Sequence, residues 1–206
     1  MEENLTADKK ALRKDFMEQR GLIPLPEART ADALIASHIT GAGFFKDARS
    51  VLVYISVDRE VDTTAIFRRA FAEGKTVCVP RTRPGRAMEA VPVGEEELFQ
   101  RARAEWPCSF GIPEPPDAFQ AMGIAGLDLV ITPSLALDQW GYRLGHGGGY
   151  YDRFIAAGRA QNKRPLFAAP QRAAFIRNKP LPREDYDMTV DVIVTENGIF
   201  IPSSSV

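Results

Sequence analysis

One stretch of the chain is dense in groups that bind anions: Arg143-Leu144-Gly145-His146-Gly147-Gly148-Gly149-Tyr150-Tyr151-Asp152-Arg153. Glycine has no Cβ, so this loop can take positive φ and bring its backbone N–H groups close to a ligand. A helix is expected to begin at Tyr150, and its first turn adds unpaired N–H donors and a partial positive charge. Together these features cradle an anion, most often a phosphate. Arg143 offers a forked cation at the loop entrance. Asp152, just past the loop, is a hard oxygen ligand suited to the Mg²⁺ that escorts nucleotide phosphates. The bland alternative is a tight surface turn, because the spacing fits neither the Walker A pattern nor the dinucleotide fingerprint.

A second set of cations lies near the start. Residues 6–20 read as a helix with Thr6 as N-cap, an apolar stripe including Leu12 and Phe16, and the cations Lys9, Lys10, Arg13, Lys14 and Arg20. Lys9 and Arg13 are four apart and share a face. That face is either simply solvated or turned to an anionic partner. A third candidate is the carboxylate of Glu60, which follows the apolar run 50–56 and so sits where an α/β sheet binds ligands, beyond the carboxyl end of a strand.

Strands and helices alternate around these residues. After a linker at 21–26, helices are expected at 27–40, 63–73 and 150–160, with Pro26 opening the first and Asp62 capping the second. Strands are expected at 50–56, 75–80, 87–93, 125–132, 165–169, 190–195 and 199–201. Residues 94–103 have room for a short helix. Val51-Leu52-Val53-Tyr54-Ile55 is apolar on both faces, as a parallel sheet covered on both sides requires. The pattern predicts one α/β domain over 1–206, a three-layer sandwich with a mostly parallel sheet and helices on both faces. Arg81, Arg83 and Arg86 are placed in a loop, either solvated or turned to an acidic guest, and His38 is assigned to structure. Trp106 to Pro116, rich in Pro and Gly, reads as an ordered loop. Its Phe110 and Trp106 are suited to wall a flat ligand, and Trp106 serves equally well as a core anchor. Residues 202–206 are expected to fray.

Composition narrows the function. The formal net charge of −1 gives no general attraction to nucleic acid or membrane. Two cysteines, with no CxxC spacing, and two histidines make a zinc site an unlikely design and suit a reducing cytosol. Cys78, inside an apolar run, reads as a small buried side chain. The first ten residues lack an apolar h-region, and no apolar run reaches membrane-spanning length. A cytoplasmic location is expected.

The segment from Pro133-Ser134-Leu135-Ala136-Leu137-Asp138, through Gly141, to Arg143–Arg153 closely resembles the signature of the 5-formyltetrahydrofolate cyclo-ligases, also called methenyltetrahydrofolate synthetases. The resemblance extends from Lys9 to Thr195 through Lys9-x-x-x-Arg13, Glu60-Val61-Asp62-Thr63, Met88, Gly111-Ile112-Pro113-Glu114-Pro115, Gln171 and Leu181-Pro182-x-Glu184-x-x-Asp187. It implies an enzyme that uses MgATP to close 5-formyltetrahydrofolate, with or without a polyglutamate tail, into 5,10-methenyltetrahydrofolate, with no nucleic-acid or membrane partner and as a monomer. It further implies that ATP is met by Lys9, Lys10, Ala11, Leu12 and Arg13 and by the run from Arg143 to Tyr151, with Arg143 and Lys9 as the catalytic cations. The folate would be met by Ile55, Glu60, His146, Gly147, Gly148, Gly149 and Tyr150. Asp152 and Asp187 would hold Mg²⁺.

Ser134, Leu137, His146 and Ala168-Ala169-Pro170 depart from the usual family pattern, and His146 could donate to a phosphate or stack on a ring. Two other classes stay open: a folate- or nucleotide-binding paralogue without turnover, and a small-molecule kinase, which the missing Walker A lysine disfavours.

Overall fold

The computed structural model of the chain describes residues 2–101 and 105–203, with side chains for residues 7–100 and 105–203. In chain order the elements are α1 (Glu2–Leu22), α2 (Leu25–Gly41), α3 (Gly43–Lys46), β1 (Ser50–Val53), α4 (Thr64–Ala72), β2 (Thr76–Arg83), β3 (Ala87–Pro92), β4 (Cys108–Ser109), β5 (Ile112–Pro113), β6 (Leu129–Ile131), β7 (Ala136–Asp138), β8 (Arg143–Leu144), α5 (Tyr150–Arg159), β9 (Leu166–Pro170), β10 (Ile176–Arg177), β11 (Val192–Thr195) and β12 (Gly198–Phe200). A seven-stranded sheet runs β12-β11-β9-β6-β1-β2-β3. Its five inner strands pair in parallel, and β12 and β3 close the two edges antiparallel.

Alternation along the strands builds the three layers. Val51, Val53, Val77, Val79, Leu129, Ile131, Val192 and Val194 face one way and pack with Ile35 and Ile39 of α2, Phe45 of α3 and Ile66 and Phe67 of α4. Leu52, Cys78, Val130, Phe167 and Ile193 face the other way and pack with Phe154 and Ile155 of α5. Both faces are therefore dry, which is why these strands read as continuous apolar runs. Burial alone pushes the Cys78 thiol up to about 12, in keeping with a side chain that only packs. His38 is structural as expected: its Nδ1 lies 2.9 Å from the Thr195 carbonyl.

The structure corrects several boundaries. The first helix begins at Glu2, so Thr6 lies inside it rather than capping it, and the side chain of Thr6 is outside the described residues. Strand β2 runs on to Arg83 because it pairs with β3 through Arg81↔Glu89 and Arg83↔Ala87. Arg81 and Arg83 are thus strand residues, not loop residues. Arg81 is buried, donates to Glu89 Oε2 (2.9 and 2.8 Å) and to the carbonyl of Pro116 (2.7 Å), and clasps the segment after β5. Only Arg86 occupies the turn. Trp106 is a core anchor, 5.9 Å from the Phe119 ring. The 97–101 segment forms a short π-turn, and residues 102–103 of the expected helix lie outside the described residues. The end expected to fray is tied at Ser203, whose N–H donates to the Gln139 carbonyl at 3.2 Å; residues 204–206 lie outside the described residues.

The sheet centre is stapled at its entry by Asp128. Its Oδ2 accepts from the Arg49 and Ser50 amides (2.9 and 3.0 Å) and the Ser50 hydroxyl (3.0 Å), and its Oδ1 from Lys163 (2.7 Å). Burial works to raise the Asp128 pKa, but Lys163, the Ser50 hydroxyl and the two amides outweigh it and hold it down at about 2. A depressed folded value stabilises the fold above the unfolded value of about 4, and that contribution fades as pH falls towards about 2. Asp128→Ala should therefore cost about 2 kcal/mol at neutral pH, a drop in Tm of roughly 4–8 °C. Melting curves of both proteins at pH 7 and pH 3 check this; a gap that does not narrow in acid would refute it.

Candidate active site

The predicted strand–loop–helix path from β6 into the glycine stretch is interrupted by a hairpin. Strands β7 and β8 pair antiparallel through Ala136↔Leu144 and Leu137↔Arg143, and β10 adds in parallel on the other side of β7. Asp138 makes the turn. It is fully buried, its Oδ1 accepts from the Trp140 and Tyr142 amides at 3.0 Å each, and its Oδ2 accepts from the Leu181 amide at 3.0 Å. Gly141 holds φ 87°, and a Cβ there would lie 3.0 Å from the Val190 carbonyl.

This turn delivers Arg143 to the entrance of the glycine loop as a buried residue of β8. Its guanidinium donates to Asp152 Oδ1 (2.9 Å) and the Pro133 carbonyl (3.2 Å) and stands 5.8 Å from the Tyr151 ring centre. Among the described residues, Arg143 Nε and the Tyr151 hydroxyl are buried with no hydrogen-bond partner. Burial first, then the charge of Glu60, keep the Tyr151 phenol protonated well above its usual range.

The loop from Gly145 to Gly149 then leads into α5. Helix α1 lies against it, because Phe16 packs with Leu135, Ala136, Leu144, Phe175 and Leu181, with Leu12 at the margin. That docking aims the two spaced cations. Arg13 Nε donates to the Gly145 carbonyl at 2.8 Å, and the Arg13 guanidinium carbon lies 3.4 Å from where a Cβ on Gly147 would stand. Gly147 holds φ 103°, a conformation that favours glycine. Lys9 is buried and ion-paired with Glu184 (2.6 Å) and with Asp187. Burial pulls the Lys9 pKa down, but the bonds to Asp187 and Glu184 outweigh it and leave it raised, so Lys9 is a cation at neutral pH. Lys10 and Ala11 are exposed, and Leu12 is half-buried.

The loop after β1 closes the other side. Glu60 accepts from the Val57 amide through Oε2 (3.1 Å), and its Oε1 lies 3.2 Å from His146 Nε2. His146 thus joins the glycine loop to the Glu60 loop. Ile55 is half-buried against the core. Tyr150 meets Phe110 edge to face at 6.1 Å; Phe110 is otherwise exposed and sits at φ 53°. A surface recess of about 370 Å³ lined by Pro26, Glu27, Thr30, Ala31, Leu34 and Glu196 lies apart from these residues and carries no cation.

Asp152 and Asp187 flank this centre, joined through Met188, whose amide donates to Asp152 Oδ1 at 3.2 Å. Both carboxylates are engaged, Asp152 with Arg143 and Asp187 with Lys9 and the Glu184 amide. Among the described residues no group of three or more His, Cys, Asp and Glu gathers as a metal cage. Two hard carboxylates still fit Mg²⁺, which keeps several waters and takes one or two protein oxygens beside substrate phosphates.

Sequence reasoning missed two buried groups. Arg20 of α1 donates to the Ser134 carbonyl at 2.6 Å, where Gln171 Nε2 also donates at 2.9 Å. Arg172 forms a forked pair with Asp32. Asp138 with Gly141 carried a readable turn signal, whereas Arg172 and Asp32 are 140 residues apart with nothing local to join them.

As a class, this is an α/β sheet covered by helices on both faces, with a glycine loop and the cations Arg13 and Arg143 gathered beside it. The sequence pattern of the 5-formyltetrahydrofolate cyclo-ligase family matches residues 5–196, and the chain belongs to that family of ATP-dependent ligases. It is 28% identical over 199 residues to a probable 5-formyltetrahydrofolate cyclo-ligase of Caenorhabditis elegans, covering 93% of this chain and 95% of the relative. It is 25% identical over 197 residues to the 5-formyltetrahydrofolate cyclo-ligase of Mus musculus, covering 92% and 94%. The solved structure of Aquifex aeolicus 5,10-methenyltetrahydrofolate synthetase superposes with a TM-score of 0.75 at 26% identity, covering 96% of this chain and 94% of that one. Among the described residues no helix is long and apolar enough to cross a membrane.

Proposed function

We propose that the protein uses MgATP to close 5-formyltetrahydrofolate into 5,10-methenyltetrahydrofolate, releasing ADP and phosphate. The observation that carries this reading is Arg13 seated on Gly147, which sets the Lys9/Arg13 face of α1 against the glycine loop that touches Glu60. The formyl oxygen attacks the γ-phosphorus, ADP leaves, and the folate carries a phosphorylated imidate. The N10 amine then attacks the activated carbon, its proton is lost, and the former formyl oxygen departs in phosphate. An amide oxygen is a poor leaving group until it is phosphorylated, so the protein's task is alignment and charge neutralisation.

Lys9, Arg13, Arg143 and the loop amides neutralise phosphate charge in this reading. Mg²⁺, when bound, draws charge from the phosphate oxygens, and Asp152 and Asp187 would hold it. Glu60 accepts from the paired amino and ring N–H donors of the pterin, with Ile55 and Tyr150 beside it. For these groups to act, Arg143 must share Asp152, and His146 must yield Glu60 to the folate. Purified protein given 5-formyltetrahydrofolate and MgATP should develop the near-UV absorbance of the methenyl product with equimolar ADP. Binding without turnover would favour a sequestering paralogue, and ADP formed only with another acceptor would favour a kinase.

A further inference from the structure

Arg172 lies two residues past the end of β9, at the carboxyl edge of the sheet, and is 4% exposed. Its Nε and Nη2 donate to Asp32 Oδ1 and Oδ2 at 2.9 and 2.8 Å, a forked pair to α2. Its Nη1 donates to the Arg59 carbonyl (2.9 Å) and its Nη2 to the Glu60 carbonyl (3.2 Å). Asp32 Oδ2 also accepts from the Asp62 amide at 3.2 Å. One guanidinium and its carboxylate thus grip residues 59, 60 and 62 from both layers.

The gripped loop also closes on itself, the Glu60 amide donating to the Val57 carbonyl (3.0 Å) and the Val57 amide to Glu60 Oε2 (3.1 Å). The Tyr54 hydroxyl holds the Val61 carbonyl (2.9 Å), but those bonds leave the Arg59 and Glu60 carbonyls to Arg172. The loop contains Asp58 at φ 51° and belongs to no strand or helix. Arg59 adds one bond, from Nη1 to the Ile23 carbonyl at 3.0 Å. A buried ion pair is weak evidence for stability, since its desolvation cost offsets much of its attraction. A planar fork with five donors, however, holds several acceptors in one fixed geometry. Here those acceptors are the main-chain atoms on either side of the Glu60 side chain.

We infer that Arg172, held by Asp32, is a positioning residue for folate recognition, fixing the Arg59–Glu60 backbone so that the Glu60 carboxylate faces the glycine loop. The inference rests on Glu60 as the folate acceptor. A lysine at 172 keeps the charge but, as a point donor, cannot span Asp32 and both carbonyls.

The test measures binding of 5-formyltetrahydrofolate and, separately, of MgATP to the wild type, Arg172→Lys and Asp32→Asn, beside a melting curve for each. Both variants should bind folate about tenfold more weakly while their MgATP affinity stays within about twofold. Unchanged folate affinity, or equal weakening of both ligands in step with Tm, would overturn the positioning role. Should Arg172→Lys fail to fold, Asp32→Asn reads the same split. A wild type that binds no folate sinks the reading of Glu60 and this inference together; a wild type that binds folate, with variants that bind it equally well, sinks only the inference.

Discussion

Arg13→Ala should lower kcat/KM for ATP by about a hundredfold while moving Tm by no more than about 2 °C. The two numbers separate because Arg13 contributes little to docking its helix. It is half-exposed and, among the described residues, makes one hydrogen bond, to the Gly145 carbonyl, while Phe16 carries the packing. What it offers is a charge beside the loop where phosphate charge would build up, and a preorganised donor there is worth about 3 kcal/mol in the transition state. A lysine at this position should recover part of the rate, since charge survives and the fork does not. Arg143 is a less clean probe: it is buried and paired with Asp152, so its removal strands a carboxylate and unsettles the hairpin as well. Steady-state kinetics beside a melting curve decide the matter. A rate for Arg13→Ala within about threefold of wild type would remove α1 from the ATP site.

Asp138→Ala should be the most destabilising single change in the glycine segment, costing about 4 kcal/mol and lowering Tm by roughly 8–16 °C. Three amides, those of Trp140, Tyr142 and Leu181, lose the fully buried carboxylate that accepts from them, the Leu181 bond being buried and the other two part-buried. Each orphaned buried donor costs about 1–3 kcal/mol, with some relief from relaxation of the turn. The activity should fall further than stability alone predicts, because the same turn delivers Arg143 to β8. Thermal unfolding by circular dichroism measures the first part. A drop smaller than about 3 °C would mean that the turn holds without its carboxylate.

The large sheet was legible because it is dry on both faces. Runs such as Val51-Leu52-Val53 and Val192-Ile193-Val194 announce buried parallel strands, and those strands formed where expected. The second sheet was not legible. Strands of two or three residues, such as Arg143–Leu144 and Ile176–Arg177, are too short to show a period, and only pairing across the chain makes them strands. The same limit explains Arg81: its neighbours in sequence suggested an open loop, while Glu89 on the facing strand fixes it in the ladder. At the candidate site, the spacing of Lys9 and Arg13 gave their shared face but not its destination, which depends on Phe16 meeting Leu135 and Leu181. Arg172 and Asp32 left no local trace, because each is an ordinary surface residue type whose partner arrives from a distant segment.

The way α1 is housed has a consequence for how a cell makes this protein. This helix leaves the ribosome well before its lodging does, because that lodging consists of residues 134–187: Ser134 for Arg20, Leu135, Leu144 and Leu181 for Phe16, Gly145 for Arg13, Glu184 and Asp187 for Lys9. During synthesis a helix with an uncovered apolar stripe must wait while most of the chain emerges, an invitation to chaperones. Only a nascent chain that has passed Asp187 can assemble the whole cradle, so premature termination yields a product with no half-working catalyst in it.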